Sequence, residues 1–205
     1  MNGKIYIEKL KEAYEQNGLL KQWNHLFDIA HGISEEEKQM LLKEYPDFPE
    51  SLMELLEMVD GTYWRKYGDE EVTYYFFGSD VDGGEYPYYL FSAKEILQYK
   101  DCAENFDDFF YYFLEEPDEY YGPFVDPKIQ TDVTKLKWLY FSDCMNNGGT
   151  SSLYIDFTPS EEGKKGQIIR YLHDPDEVKV IADSFDEFLE MLVKNGMKFI
   201  HEDDF

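Results

Sequence analysis

The chain has 205 residues, 43% of them hydrophobic and 18% aromatic, with 18 Tyr and 16 Phe, which excludes a disordered acidic tail and requires a folded core. Its 44 Asp and Glu against 19 Lys and Arg leave a formal net charge of −25, so direct binding to nucleic acid lacks the electrostatic term that supplies most of the affinity; a basic protein is the fitting partner, and the same charge also serves solubility. Two cysteines, Cys102 and Cys144, are too few for a disulfide framework, no apolar run spans a bilayer, and MNGKIYIEKLKEAYEQ lacks a signal-peptide core, so a cytoplasmic, membrane-free protein is expected.

The first 60 residues read as helices. Apolar residues recur at helical spacing over 5–16 and 20–30, and Ser34-Glu35-Glu36-Glu37 is a capping-box start for a segment running toward Tyr45. In PESLMELLEMVDG, Pro49 suits a first turn, Leu52, Leu55, Leu56 and Val59 share a face, and Asp60-Gly61 supplies the stop. From Thr62 the period shifts toward two, giving three expected strands, TYWRKY, VTYYFFG and YPYYLFS, separated by GDEE and SDVDGGE. Ser92-Ala93-Lys94-Glu95 opens a short helix, and residues 105–114 are expected to be helical before Pro117, Pro123 and Pro127 break the pattern. Strands follow near 136–142, 152–158, 167–173 and 178–182, with turns at NNGG and EEGKKG. Ser184-Phe185-Asp186-Glu187 then begins a helix with Phe185, Phe188, Leu189 and Leu192 on one stripe, ended by Asn195-Gly196. The order predicts an α+β fold with a mostly antiparallel sheet of about six strands flanked by helices.

Three kinds of chemistry could use this frame. Asp80 to Glu85 starts like a calcium loop, but an EF-hand repeat begun at Asp80 would place Phe91 at its twelfth position, where an oxygen ligand is needed. His25, His31, His173 and His201 form no zinc motif, and no phosphate-cradling glycine loop is present, so no metal or cofactor is expected. Cys144 with His173 and Asp174 has the chain order of a nucleophile, base and orienter, yet Cys144 has no basic neighbour in sequence to lower its pKa, and a buried or turn cysteine fits better. A protein-binding surface is the third candidate. Between Lys100 and Lys128 there is no basic residue, while Asp101, Glu104, Asp107, Asp108, Glu115, Glu116, Asp118, Glu119 and Asp126 lie among Phe106, Phe109, Phe110, Tyr111, Tyr112, Phe113, Tyr120 and Tyr121. Acid would steer a cationic protein and aromatics would anchor it; the competing reading is an amphipathic insert whose aromatics enter the core.

Three blocks resemble the SUKH superfamily, which includes cell-wall-assembly regulators of the Smi/Knr type and many bacterial immunity proteins. They are PESLMELLEMVDG; DCMNNGGTSSLYIDF with the following GQIIRYLHD; and VIADSFDEFLEML. Together they span Pro49 to Leu192 and carry Asp60, Gly61, Gly148, Gly149, Asp156, Gly166, Ser184 and Phe185 as structural motif positions, read as turns, a cap and core packing. The length and the absence of an obvious linker predict a single domain over residues 1–205. It divides into a helical part over 1–48, a family-like core over 49–195, and an acidic aromatic insert over 101–135 beyond what a minimal member needs. The resemblance implies a non-enzymatic, protein-binding role without catalytic residues, of the immunity type against a basic toxin domain, with nucleases among the candidates. The alternative is a housekeeping regulatory module, and an acid-using hydrolase ranks third. Residues Asp101, Glu104, Asp107, Asp108, Tyr111, Tyr112, Glu115, Glu116, Asp118, Glu119, Tyr120 and Tyr121 are the expected partner-binding set.

Overall fold

The computed structural model describes residues 1–81, 84–114, 124–144, 150–173 and 176–201, with the backbone alone at 80, 81, 84 and 85. The chain divides into two compact units, one made of Met1–Glu95 with Leu189–Phe205 and the other of Ile96–Phe188.

The first unit begins with α1 (Gly3–Gln16), α2 (Leu20–Ile29), α3 (Glu35–Glu44) and α4 (Glu50–Met58). Asn2 caps α1 by accepting from the Ile5 amide at 2.9 Å. Ser34 and Glu37 form the expected reciprocal box, with the Glu37 amide donating to Ser34 Oγ at 3.2 Å and the Ser34 amide donating to Glu37 Oε2 at 2.8 Å. On α1, Tyr6, Leu10 and Tyr14 are spaced by four and buried, and they meet a helix α4 whose Leu52, Leu55 and Leu56 are also buried. The two tyrosines then spend their hydroxyls on β-backbone, Tyr6 on the Phe76 carbonyl at 2.5 Å and Tyr14 on the Tyr75 carbonyl at 3.0 Å.

Four strands follow, where the sequence predicts three: β1 (Arg65–Tyr67) pairs with β2 (Glu70–Val72), and β3 (Tyr75–Val81) with β4 (Gly84–Tyr89), both antiparallel. The expected strand VTYYFFG is split because Tyr74 is bound to Thr62 instead of to a ladder. Its amide donates to the Thr62 carbonyl at 3.1 Å, and its carbonyl accepts from Thr62 Oγ1 at 2.6 Å. Alternation alone does not reveal such a side-chain staple, and it turns one strand into the ends of two hairpins.

The second unit holds the site. After α5 (Ala93–Gln98), which opens on the expected Ser92–Glu95 box, a 3-10 turn at Cys102–Phe106 leads into α6 (Asp107–Phe113). The sequence places one helix over 105–114; the observed segment starts earlier and tightens before becoming α-helical. The meander β5 (Trp138–Asp143), β6 (Ser151–Asp156), β7 (Gln167–Leu172) and β8 (Glu177–Ala182) forms one antiparallel four-stranded sheet in chain order. Residues 124–126 cover the β8 edge: the Val178 amide donates to the Phe124 carbonyl at 2.7 Å and the Asp126 amide to the Val178 carbonyl at 2.9 Å, which blunts the edge against pairing with another chain. The final helix, α7 (Phe185–Lys194), crosses the unit boundary, and its Phe185 and Phe188 rings meet Phe141 of β5 at 5.3 and 6.2 Å.

The other side of the sheet carries Trp138, Tyr154, Ile169 and Val178, against which Phe106 and Phe110 are buried. Each such phenylalanine contributes about 2 kcal/mol through burial, so the 102–110 segment is bound to the sheet by its apolar residues. The fold is α+β with antiparallel sheets, as the sequence predicts, but the described residues divide eight strands among three sheets instead of gathering about six in one. No described helix is long and apolar enough to cross a membrane.

Candidate functional site

The segment from Asp101 to Leu114 separates its side chains cleanly. Cys102, Ala103, Phe106 and Phe110 are buried, Phe109 and Phe113 are half-buried, and Asp101, Glu104, Asp107, Asp108, Tyr111 and Tyr112 are exposed. Exposed positions 104, 107, 108, 111 and 112 follow helical spacing, so acid and tyrosine occupy one outward stripe. Tyr111 is 76% and Tyr112 70% exposed, with their rings edge to face at 5.3 Å. Two large aromatic side chains left in water with no core to serve are the unusual feature here. Asp107 and Asp108 also occupy the first turn of α6, where negative charge complements the helix dipole. The two readings of the insert therefore divide by residue: the phenylalanines enter the core, and the tyrosines with the acids face outward. Glu115, Glu116, Asp118, Glu119, Tyr120 and Tyr121 lie outside the described residues.

Beneath this segment a cleft of about 330 Å³ opens against the sheet, lined by Tyr99, Cys102, Asn105, Phe106, Phe109, Tyr140, Ser152, Tyr154 and Tyr171. The rings of Tyr140 and Tyr154 stack at 4.7 Å, Tyr99 meets Tyr140 at 5.6 Å, and Phe106 meets Tyr171 edge to face at 5.2 Å. One end is polar: the Tyr140 and Ser152 hydroxyls are 3.0 Å apart, and Ser152 Oγ donates to Asp143 Oδ1 at 3.5 Å. The same carboxylate oxygen accepts from the Cys144 amide at 2.9 Å.

Asp143 reaches this corner through a β-bulge. Tyr140 opposes Tyr154 and Asp143 opposes Ser152, with a register shift between Tyr140 and Ser142. Strict alternation would send Tyr140 and Asp143 to opposite faces; the extra residue returns Asp143 to the tyrosine side. Burial pushes the Asp143 carboxyl up to about 6, against the hydrogen bonds from Tyr140, Cys144 and Ser152 that favour its charged form. The sequence reading missed the cleft entirely. Its only trace was the same-face spacing of Tyr140 with Trp138, Ser152 with Tyr154, and Ile169 with Tyr171, and register was needed to join the three strands.

The motif positions fall at corners. Asp60, 1% exposed, accepts from the Ala93 amide at 2.9 Å through Oδ1 and pairs with Arg65 through Oδ2. Burial raises its carboxyl above the ordinary range even so. Gly61 follows at φ +89°, and a Cβ there would stand 2.6 Å from the Ser92 amide nitrogen, so only glycine fits both the conformation and the space. Asp156, fully buried, accepts from the Thr158 amide at 2.8 Å and from Gln167 Nε2 at 2.9 Å. The Gly166 amide donates to its carbonyl at 2.7 Å, at φ +88°. Ser184 Oγ accepts from the Glu187 amide at 3.2 Å at the start of α7, and Phe185 is buried. Gly148 and Gly149 lie outside the described residues.

Cys144 and His173 have other engagements. Burial, with the Asp143 charge adding to it, pushes the Cys144 thiol up to about 12, which leaves it protonated and weakly nucleophilic at neutral pH. His173 Nδ1 lies 2.6 Å from Asp176 Oδ1, at the turn into β8. Asp174 lies outside the described residues.

The profile of the SMI1 / KNR4 family (SUKH-1) matches residues 32–191 of this chain. The chain belongs to that family. The match begins ahead of Pro49, taking in α3, and its end falls within α7. The whole of Asp101–Lys135, read from sequence as an insert, lies inside the matched span. A search of curated proteins returned no match.

Proposed function

We propose that this member of the SMI1 / KNR4 family (SUKH-1) is a non-enzymatic protein-binding domain of the immunity type, which neutralises a basic toxin domain by direct association. The observation that carries the reading is the outward stripe of Asp101, Glu104, Asp107 and Asp108 beside Tyr111 and Tyr112. Long-range attraction from a chain of net charge −25 accelerates encounter with a cationic surface. The paired tyrosines then offer large, rigid area for burial, as interface hot spots do. A nuclease domain would suit this logic, because its substrate-binding face is basic and an acidic occupant competes for it.

The test reads the genes beside this one for a secreted protein with a toxin-like C-terminal domain and mixes that domain with the purified chain. The expected result is a stoichiometric complex that blocks the toxin's activity and weakens by about tenfold or more when salt rises from about 50 to 300 mM. Combined Glu104→Gln, Asp107→Asn and Asp108→Asn substitutions should slow association, whereas Tyr111→Ala with Tyr112→Ala should speed dissociation. An affinity indifferent to salt and to all five changes would reject this surface. A chain that binds a constitutive cellular protein, and no toxin, would instead be a regulatory module.

A further inference from the structure

The geometry points to the tyrosine cleft of the second unit as a receptor for one arginine side chain of a basic partner, with the guanidinium lying against the rings of Tyr99, Tyr140 and Tyr171 and directed at the Tyr140 and Ser152 hydroxyls that Asp143 backs. The inference rests on the basic-partner reading above and names a second, more specific contact for it.

Three features carry it. The walls are aromatic, and a planar, weakly hydrated guanidinium is the cation best suited to lie on such faces. At about 330 Å³ the space is at the low end of ligand pockets, matching a long side chain better than a folded segment. The polar end is formed by the Tyr140 and Ser152 hydroxyls, and behind them stands a carboxylate with hydroxyl and amide partners but no cation: among the described residues no Lys or Arg pairs with Asp143, and no residue outside them is Lys or Arg. The strand cations are engaged elsewhere, since Arg170 and Lys179 both pair with Glu177. Lys137, near Cys102, borders a neighbouring depression. Asp60 shows what the missing partner does, because its carboxylate has Arg65 against it. The Asp143 corner has the same acid, half-buried behind the polar end of an aromatic cleft, and the charge of the chain favours a cation arriving from outside.

The probe is Nα-acetyl-arginine amide, titrated into the full chain and followed by aromatic NMR resonances, beside its citrulline and lysine counterparts. The arginine probe should shift Tyr140, Tyr154 and Tyr171 with about millimolar affinity. Citrulline, equal in shape but uncharged, should bind about tenfold more weakly or less, with lysine between the two. Tyr99→Ala, at a half-exposed ring, and Asp143→Asn should each weaken the arginine probe by about tenfold. Asp143→Asn should raise the melting temperature at the same time, since it removes a desolvated charge. A carboxylate serving structure alone would lower the melting temperature and leave the probe unaffected. Equal binding of arginine and citrulline, or shifts confined to Tyr111 and Tyr112, overturns the inference. If the toxin domain binds tightly to both variants, the cleft proposal fails and the outer-face reading stands. If the arginine probe behaves as described and no basic domain binds, the reading of partner fails and the cleft stands.

Discussion

Two corners of the molecule hold a carboxylate in opposite ways, Asp60 buried and Asp143 half-buried. At Asp60, in the first unit, one oxygen takes the Ala93 amide and the other takes Arg65, so the acid closes a turn and has its charge answered locally. At Asp143, in the second unit, the partners are Ser152, Tyr140 and the Cys144 amide, beside an open aromatic cleft. Burial raises both carboxyls, at Asp60 against the Ala93 amide and the Arg65 charge and at Asp143 against hydrogen bonds alone. Asp60 therefore holds a shape, whereas Asp143 is hydrogen-bonded without a cation behind the Tyr140 and Ser152 hydroxyls of the cleft.

The largest expected effect tests the first half of that contrast. Asp60→Ala should cost about 3 kcal/mol in denaturant unfolding, because Arg65 and the Ala93 amide would lose their partner in a buried place. A loss under about 1 kcal/mol would show that the turn closes without the acid. Gly61→Ala at the same corner should cost about 2 kcal/mol, from the left-handed backbone and the close Ser92 amide together.

At the other corner the sign reverses. With the folded-state carboxyl of Asp143 near 6 and an ordinary value near 3.8, its contribution to stability is full below about pH 4. That contribution is lost as pH rises through 6. Asp143→Asn should therefore stabilise the free protein at pH 7 by about 1 kcal/mol, reduced from the full shift by partial solvent access. It should also flatten the fall in stability between about pH 4 and pH 7, read as unfolding midpoints across that range. A destabilised variant would place Asp143 with Asp60 as a structural acid and end the contrast.

The smallest effect belongs to the outer stripe. Tyr111→Ala or Tyr112→Ala should change stability by less than about 0.5 kcal/mol, since neither ring is buried. A larger loss would mean that these rings support the fold and are not free for a partner.

Much of the frame was legible along the chain. Capping boxes at Ser34 and Ser92 depend on four consecutive residues, and the hydrophobic stripes of α1, α4 and α7 on helical period, so local chemistry determined them. The outward acids and tyrosines of 101–112 were also visible as composition, but which aromatics turn inward depended on the phase of the helix against the sheet. Phe106 and Phe110 lie on one side and Tyr111 and Tyr112 on the other, and a run of aromatics does not disclose its own phase. The split of VTYYFFG was hidden for a similar reason, because Thr62, 12 residues from Tyr74, decides it.

By itself the sequence determined the α+β class, the family, the acidity and the turns at Asp60-Gly61 and Asp156 to Gly166, because each rests on composition or on motifs and their order along the chain. Only the tertiary structure decided the cleft. Tyr99, Tyr140, Ser152, Tyr154 and Tyr171 come from separate segments and meet through strand register. Asp143 joins them because a bulge between Tyr140 and Ser142 reverses the alternation that would have turned it away.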